Sequence, residues 1–262
     1  MDRALRSLIA FPCKGETLVG SLDEAPGTTG LLTVSGGNEI RCGAHRGMAS
    51  LAAELAAAGH PVFRFDRRGI GDSSGENGGY ASSGPDIMAA VSAFRAAAPQ
   101  VERLVGFGNC DAATALALYG GPAFDRLILA NPWISDDRDD LPPAAAIRSR
   151  YVERLRDPAN WARLLTGRID FGKLISGLNK VTQSRSEMLS ELEQAVFDAI
   201  NRHPDVKIVL AAGDATAIGF ADAAARAGYA GDTTVIDTAS HSFARASDKR
   251  ALFEAVLAAL GD

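Results

Sequence analysis

The segment Arg103–Ala113 reads Arg-Leu-Val-Gly-Phe-Gly-Asn-Cys-Asp-Ala-Ala and constrains the fold more than any other stretch. A short apolar run passes through one polar pair directly into an Ala-rich helical segment, with no residues left for a loop. Such a strand–turn–helix unit raises one side chain above the carboxyl edge of a parallel sheet. The usual pattern is Gly-x-Ser-x-Gly, and here it is Gly108-Asn109-Cys110-Asp111-Ala112. Ala is small enough to replace the last Gly, so Cys110 is the candidate nucleophile.

Two other interpretations of this segment must be weighed against the rest of the chain. A single Cys is often just a small buried hydrophobic residue. The spacing of Gly106 and Gly108 also resembles the start of a dinucleotide-binding fingerprint, but Asp111 stands where that fingerprint requires Gly or Ala. The polar residues at the other strand ends favour the nucleophile.

Composition excludes several classes of function. The 262 residues, of which 47% are hydrophobic and 23% charged, suit one globular domain with an insertion or small cap. A net charge of -5 provides no basic face for nucleic acid, and no apolar stretch is long enough for a membrane span. The N-terminus has no apolar signal-peptide core, so we expect a cytoplasmic protein. We also expect a monomer or a homodimer. Cys13, Cys42 and Cys110 form neither a disulfide framework nor a metal pattern, and we expect no metal and no cofactor.

Polar residues at two later strand ends complete a candidate triad. Asp214 follows the apolar run Val206–Ala212, and His241 lies in the loop after the run Thr233–Asp237. Parallel strands bring their carboxyl ends to one edge, so nucleophile, acid and base are expected to meet there. The acid is the least certain member, and the other candidates for it are Asp222, Asp136 and Asp237.

The residue types predict acyl chemistry on a small-molecule substrate. His241 would take the Cys110 proton, and Asp214 would orient the imidazole and stabilise its charged form. The thiolate would attack an acyl carbonyl and form a thioester with the enzyme. Water would then complete hydrolysis of an ester or thioester, but another nucleophile could accept the acyl group instead. Hydrolysis and acyl transfer both remain open, as does a non-catalytic binding protein that retains the turn.

The Gly-rich segment after the apolar strand Gly30–Val34 predicts an oxyanion hole. Its backbone donors would be the N–H of Asp111 and the N–H of Gly37 or Asn38. The same glycines are equally compatible with a simple tight turn between strand and helix. Candidate substrate-binding residues surround this region and include basic side chains suited to an acidic group. They are Arg41, His45, Arg46 and Trp133.

Several motifs together resemble one known group of proteins. They are Gly36-Gly37 followed by Arg41 and His45-Arg46, the run Phe65–Ser73, the pair Cys110-Asp111, Asn131-Pro132-Trp133, and the stretch Tyr151–Arg168. The combination is similar to the α/β-hydrolase superfamily and, within it, to the exosortase A system-associated hydrolase 1 family. The resemblance covers nearly the whole chain. It implies a bacterial hydrolase linked to exopolysaccharide loci.

The resemblance also implies the architecture. We expect an α/β-hydrolase fold, in which a mostly parallel, doubly wound sheet carries a helical lid between strands 6 and 7. Residues 1–132 and 202–262 would form the core. Residues 133–201, where an acidic run is followed by Arg- and Leu-rich helical stretches, would form the lid.

Overall fold

The computed structural model describes residues 6–135 and 188–261, and these form one eight-stranded sheet flanked by helices. The strands are β1 (Arg6–Cys13), β2 (Glu16–Asp23), β3 (Thr29–Val34), β4 (Val62–Phe65), β5 (Arg103–Asn109), β6 (Arg126–Ala130), β7 (Val206–Ala211) and β8 (Thr233–Ile236). Their order is β1-β2-β4-β3-β5-β6-β7-β8. β2 pairs antiparallel with β1 and β4, and every other pairing is parallel. The expected mostly parallel sheet is confirmed.

The helices occupy both faces of the sheet, as a doubly wound arrangement requires. They are α1 (Gly47–Ala57), α2 (Gly84–Ala97), α3 (Asp111–Tyr119), α4 (Glu191–Arg202), α5 (Ala215–Ala227) and α6 (Ala246–Gly261). Buried side chains of α2, α3, α4 and α5 belong to one core cluster, whereas those of α1 and α6 belong to a second. The two clusters lie on opposite faces of the sheet.

The strands bury both faces because successive side chains point in opposite directions. In β6, Leu127 and Leu129 pack in the first cluster, and Ile128 and Ala130 pack in the second. β7 divides its residues in the same way. A nearly continuous apolar run is therefore the expected sequence of a central parallel strand.

The predicted lid lies mostly outside the described residues, which stop at 135 and resume at 188. α4, which sequence reasoning assigned to the end of the lid, buries Val196, Phe197 and Ile200 in the first core cluster. A capping box formed by Ser190 and Glu193 begins this helix. The division of the chain into core and lid stays a prediction.

Candidate active site

The turn after β5 has the backbone conformation of a strained elbow. Cys110 adopts φ 62° and ψ −129°, a region that residues other than Gly rarely occupy, and α3 begins at the next residue. A Cβ on Gly108 would lie 2.7 Å from the carbonyl carbon of Ala112, so the strand and the helix cross too closely for any side chain there. Ala112 itself fits the crossing and is fully buried. The turn therefore holds the Cys110 thiol at the carboxyl end of the sheet.

His241 and Asp214 meet at the same edge of the sheet. Nδ1 of His241 lies 3.0 Å from Oδ2 of Asp214, and the His241 side chain also hydrogen-bonds to that of Cys110. Asp214 caps α5, because its Oδ2 accepts the N–H groups of Thr216 and Ala217 at 3.1 Å. The structure thus brings the three predicted triad residues together. Of the alternative acids, Asp222 pairs with Arg226, and Asp136 lies outside the described residues.

The electrostatics of this cluster favour a charged imidazole. Hydrogen bonds to Asp214 and Cys110, together with the charges of both partners, outweigh desolvation and raise the pKa of His241 to about 10. Burial by itself raises the pKa of Asp214, but its hydrogen bond to His241, the charge of that ring and the helix-cap N–H groups leave the pKa below its ordinary value. His241 is accordingly an imidazolium near neutral pH. An imidazolium is the natural partner of a thiolate rather than of a hydroxyl.

Two asparagines for which the residue pattern predicted no role hold the backbone of the His241 loop. Nδ2 of Asn109 donates to the His241 carbonyl at 3.1 Å, and Nδ2 of Asn131 donates to it at 3.3 Å. The fully buried Asn131 also accepts the Ala211 N–H at 2.8 Å. These contacts tie the ends of β5, β6 and β7 to the histidine. The sequence signal for them is a polar Asn at the end of each of two apolar runs, Asn109 as the last residue of β5 and Asn131 directly after β6.

The predicted oxyanion loop is a turn beside the nucleophile. The Glu39 N–H donates to the Gly36 carbonyl at 2.9 Å, and Gly37 has φ 54°. A Cβ on Gly36 would lie 3.6 Å from the Cys110 Cβ, which shows how near the loop is. The Gly37 N–H is already donated to Asp111 Oδ1. The N–H groups of Asn38 and Asp111 have no acceptor within the described parts of the chain.

The four candidate substrate-binding residues have different surroundings. Arg41 is paired with Asp66 and Asp72, so its guanidinium is not free to bind an acidic substrate. Its pKa lies above the ordinary value because these hydrogen bonds and charges outweigh desolvation. The exposed side chains of His45 and Arg46 have no polar partner among residues 6–135 and 188–261, and both residues have left-handed backbone.

The backbone of Trp133 contacts the elbow, and its side chain packs against an aromatic neighbour. Its backbone N–H donates to the Cys110 carbonyl at 3.2 Å, and its ring packs edge-on against that of Tyr80 with centroids 5.6 Å apart. The indole is half-buried and packs against the first core cluster. The expectation that Trp133 binds substrate stays a prediction.

Within the described residues, no group of three or more His, Cys, Asp or Glu side chains is arranged to hold a metal ion. No helix in the same ranges is long and apolar enough to cross a membrane.

Comparisons with solved structures identify the class of fold. The chain is similar to the esterase Pf2001 of Pyrococcus furiosus, with 14% identity and a TM-score of 0.66, and the match covers 98% of this chain and 90% of the esterase. It matches 98% of the α/β hydrolase GrgF of Penicillium sp. at 16% identity and TM-score 0.66. It also matches the whole thioesterase domain of the curacin biosynthetic pathway at 11% identity and TM-score 0.57. The chain has the α/β-hydrolase fold.

Identities this low reflect the fold alone and assign the chain to no family within it. No protein-family model and no curated protein matches the sequence. The resemblance to the exosortase-associated family therefore depends on the sequence motifs.

Proposed function

We propose that this protein is an acyl hydrolase that cleaves an ester or thioester through a thioester intermediate on Cys110. The observation that carries the proposal is the position of His241, whose ring contacts both the Cys110 side chain and Asp214. Esterase and thioesterase domains among the structural neighbours support this reaction class. On the sequence resemblance alone, we propose exopolysaccharide-related metabolism as its setting.

The charge state of His241 determines the order of proton transfers. With its pKa raised to about 10, the His241 ring carries the proton at the start of the cycle, and the attacking species is the deprotonated sulfur of Cys110. The sulfur attacks the acyl carbon, and the carbonyl electron pair moves onto oxygen. When the tetrahedral intermediate collapses, the bond to the leaving group breaks and His241 gives that group a proton. The now neutral ring takes a proton from water as the water oxygen attacks the thioester, and the carboxylic acid leaves with restoration of the thiolate.

The oxyanion of each tetrahedral intermediate needs two donors aimed at it. We assign them to the N–H groups of Asn38 and Asp111, which have no acceptor in the described ranges, rather than to that of Gly37. One such donor is worth roughly 3–4 kcal/mol of transition-state stabilisation in comparable hydrolases. Asp214 keeps the imidazole in place and stabilises its positive charge.

The three cysteines provide an internal comparison for a test with iodoacetamide near neutral pH. Cys13 is buried, and burial together with its hydrogen bond to Asp86 raises its pKa to about 11, so it should react very slowly. We expect Cys110 to be alkylated first, with loss of turnover in proportion. His241→Ala should abolish turnover and slow this alkylation. The hydrolase proposal is rejected in favour of a non-catalytic binding protein if Cys110 reacts no faster than Cys13 or Cys42 and if His241→Ala changes neither turnover nor the alkylation rate of Cys110.

The same preparation separates hydrolysis from acyl transfer. A generic thioester substrate would be incubated with and without an added amine or alcohol, and the products identified by mass spectrometry. We expect the free acid as the main product in both reactions. A predominant amide or ester product would identify an acyltransferase that uses the same intermediate.

A further inference from the structure

We propose that the side chains of Asp111 and Arg67 are positioning residues that set the geometry of the oxyanion hole. This inference depends on the proposed acyl chemistry of Cys110. It assigns a role to two charged groups that the triad does not use. Asp111 follows the nucleophile in sequence, whereas Arg67 follows β4 and lies between the oxyanion loop and α2.

The two side chains hold both polar groups of Gly37. Asp111 Oδ1 accepts the Gly37 N–H, and a guanidinium nitrogen of Arg67 donates to the Gly37 carbonyl. Arg67 also lies 3.4 Å from Asp111 Oδ2 and donates to the Ser83 hydroxyl at 2.9 Å. Arg67 is only 2% exposed, so its charge must be balanced by a nearby partner. We call this pair, with its contacts to Gly37, the Asp111–Arg67 clamp.

The clamp controls a donor that it does not touch. The Gly37 carbonyl and the Asn38 N–H belong to one planar trans peptide, so they point in opposite directions. By binding the carbonyl, Arg67 fixes the direction of the Asn38 N–H. Without the clamp, the adjacent glycines Gly36 and Gly37 would permit several backbone conformations. An oxyanion hole is effective only when its donors are already oriented before the charge develops.

The presence of Arg67 explains how a carboxylate can lie so close to this site. A negative charge on Asp111 would oppose the negative oxygen of the tetrahedral intermediate if it stood alone. The Arg67 guanidinium offsets it, so the clamp orients the loop without adding net charge. The two residues therefore act as one unit, and we expect their substitutions to be non-additive.

The test separates the oxyanion hole from the nucleophile. Turnover of a thioester requires the hole, whereas alkylation of Cys110 by iodoacetamide forms no oxyanion. We expect Asp111→Ala to lower kcat by about 10- to 100-fold, because even small misplacement of donors is costly. The limiting alkylation rate at high pH should stay within about twofold of wild type, since the Cys110–His241 pair is unchanged. Asp111→Asn keeps an acceptor oxygen for Gly37 and should recover part of the lost kcat.

Asp86→Ala is the matched control. Asp86 also lies in the first turn of a helix, accepts a backbone N–H from Arg68 at 3.1 Å and pairs with that arginine. Asp86→Ala removes a similar pair of carboxylate contacts, made to Arg68 instead of to Gly37 and Arg67, so it should lower stability but leave kcat unchanged. A kcat loss in Asp86→Ala equal to that in Asp111→Ala would overturn the proposal.

Three further results would also overturn it. They are an unchanged kcat in Asp111→Ala, a raised kcat, which would mean that the carboxylate competes with the substrate oxygen, and an equal fall in kcat and alkylation. Hydrogen exchange of the Gly37 amide gives a readout without substrate. It should accelerate at least about tenfold in Asp111→Ala and not in Asp86→Ala. Unchanged exchange rejects the clamp even in a protein without turnover, whereas absent wild-type turnover with faster exchange rejects the hydrolase alone.

Discussion

Asp214→Asn is expected to remove the charge of the triad acid while leaving its hydrogen bonds in place. A single oxygen, Oδ2, lies 3.0 Å from His241 Nδ1 and also accepts the N–H groups of Thr216 and Ala217. The amide oxygen of Asn can occupy that position and keep all three donors. The helix cap and the Nδ1–H tautomer should therefore survive, and only the electrostatic stabilisation of the imidazolium is lost.

The size of that loss follows from the separation of the two charges. Unit charges about 4 Å apart interact by ~1 kcal/mol in water and ~4 kcal/mol at an effective dielectric constant near 20. The His241 side chain is 37% exposed, so solvent screening places the interaction between these limits. Since ~1.4 kcal/mol corresponds to one pH unit, Asp214→Asn should lower the pKa of His241 by roughly one to three pH units from its wild-type value.

The assay is an NMR titration of His241, with turnover and thermal unfolding measured on the same samples. We expect kcat near neutral pH to fall by about 10- to 100-fold, which is less than the ~10⁴-fold loss that follows from a wrong tautomer. Asp222→Asn removes an equivalent charge from α5 at its pair with Arg226 and should leave the titration unchanged. A pKa of His241 that stays near 10 in Asp214→Asn would refute the reasoning, because the charge of Asp214 would then contribute little to the raised pKa.

Two further predictions concern the elbow and the pH dependence of stability. Gly108→Ala would place a Cβ 2.7 Å from the Ala112 carbonyl carbon, so we expect it to lower the free energy of unfolding by about 1–3 kcal/mol and turnover by at least about tenfold. Gly261→Ala, where no atom lies within 4 Å, is the control, and equal turnover in both variants would contradict the steric argument. For the pH dependence, the wild-type free energy of unfolding in urea should exceed that of His241→Gln most between about pH 4 and 6.5. The pKa of Asp214 is lowered from its ordinary value of 3.8, so its contribution to stability is fully present above that pH. The pKa of His241 is raised from 6.5 to about 10, so its contribution is fully present below pH 6.5 and is lost as pH rises through about 10. A stability difference that does not change between about pH 5 and pH 10 would contradict this linkage.

Much of the architecture could be predicted because it depends on local pattern. Apolar runs bounded by Gly, Pro or polar residues identify the central strands, and the absence of a loop between β5 and α3 identifies the elbow. The order of Cys110, Asp214 and His241 along these elements also predicts that they meet, since parallel strands align their carboxyl ends. The helix α4 shows the limit of such reasoning. Its strongly amphipathic sequence suits a lid as well as a core helix, and only packing against the core cluster distinguishes them.

Local sequence therefore determined the strands, the elbow and the chemical types available to the site, because each depends on residues that are neighbours in the chain. Partner choice required the tertiary structure, because hydrogen bonds between distant segments depend on how those segments pack. Arg41, which suited an acidic substrate, is instead bound to Asp66 and Asp72. The Gly37 N–H, a predicted oxyanion donor, is taken by a carboxylate 74 residues away in sequence. A buried polar group must find its partner wherever the fold supplies one, and no local pattern records which partner that is.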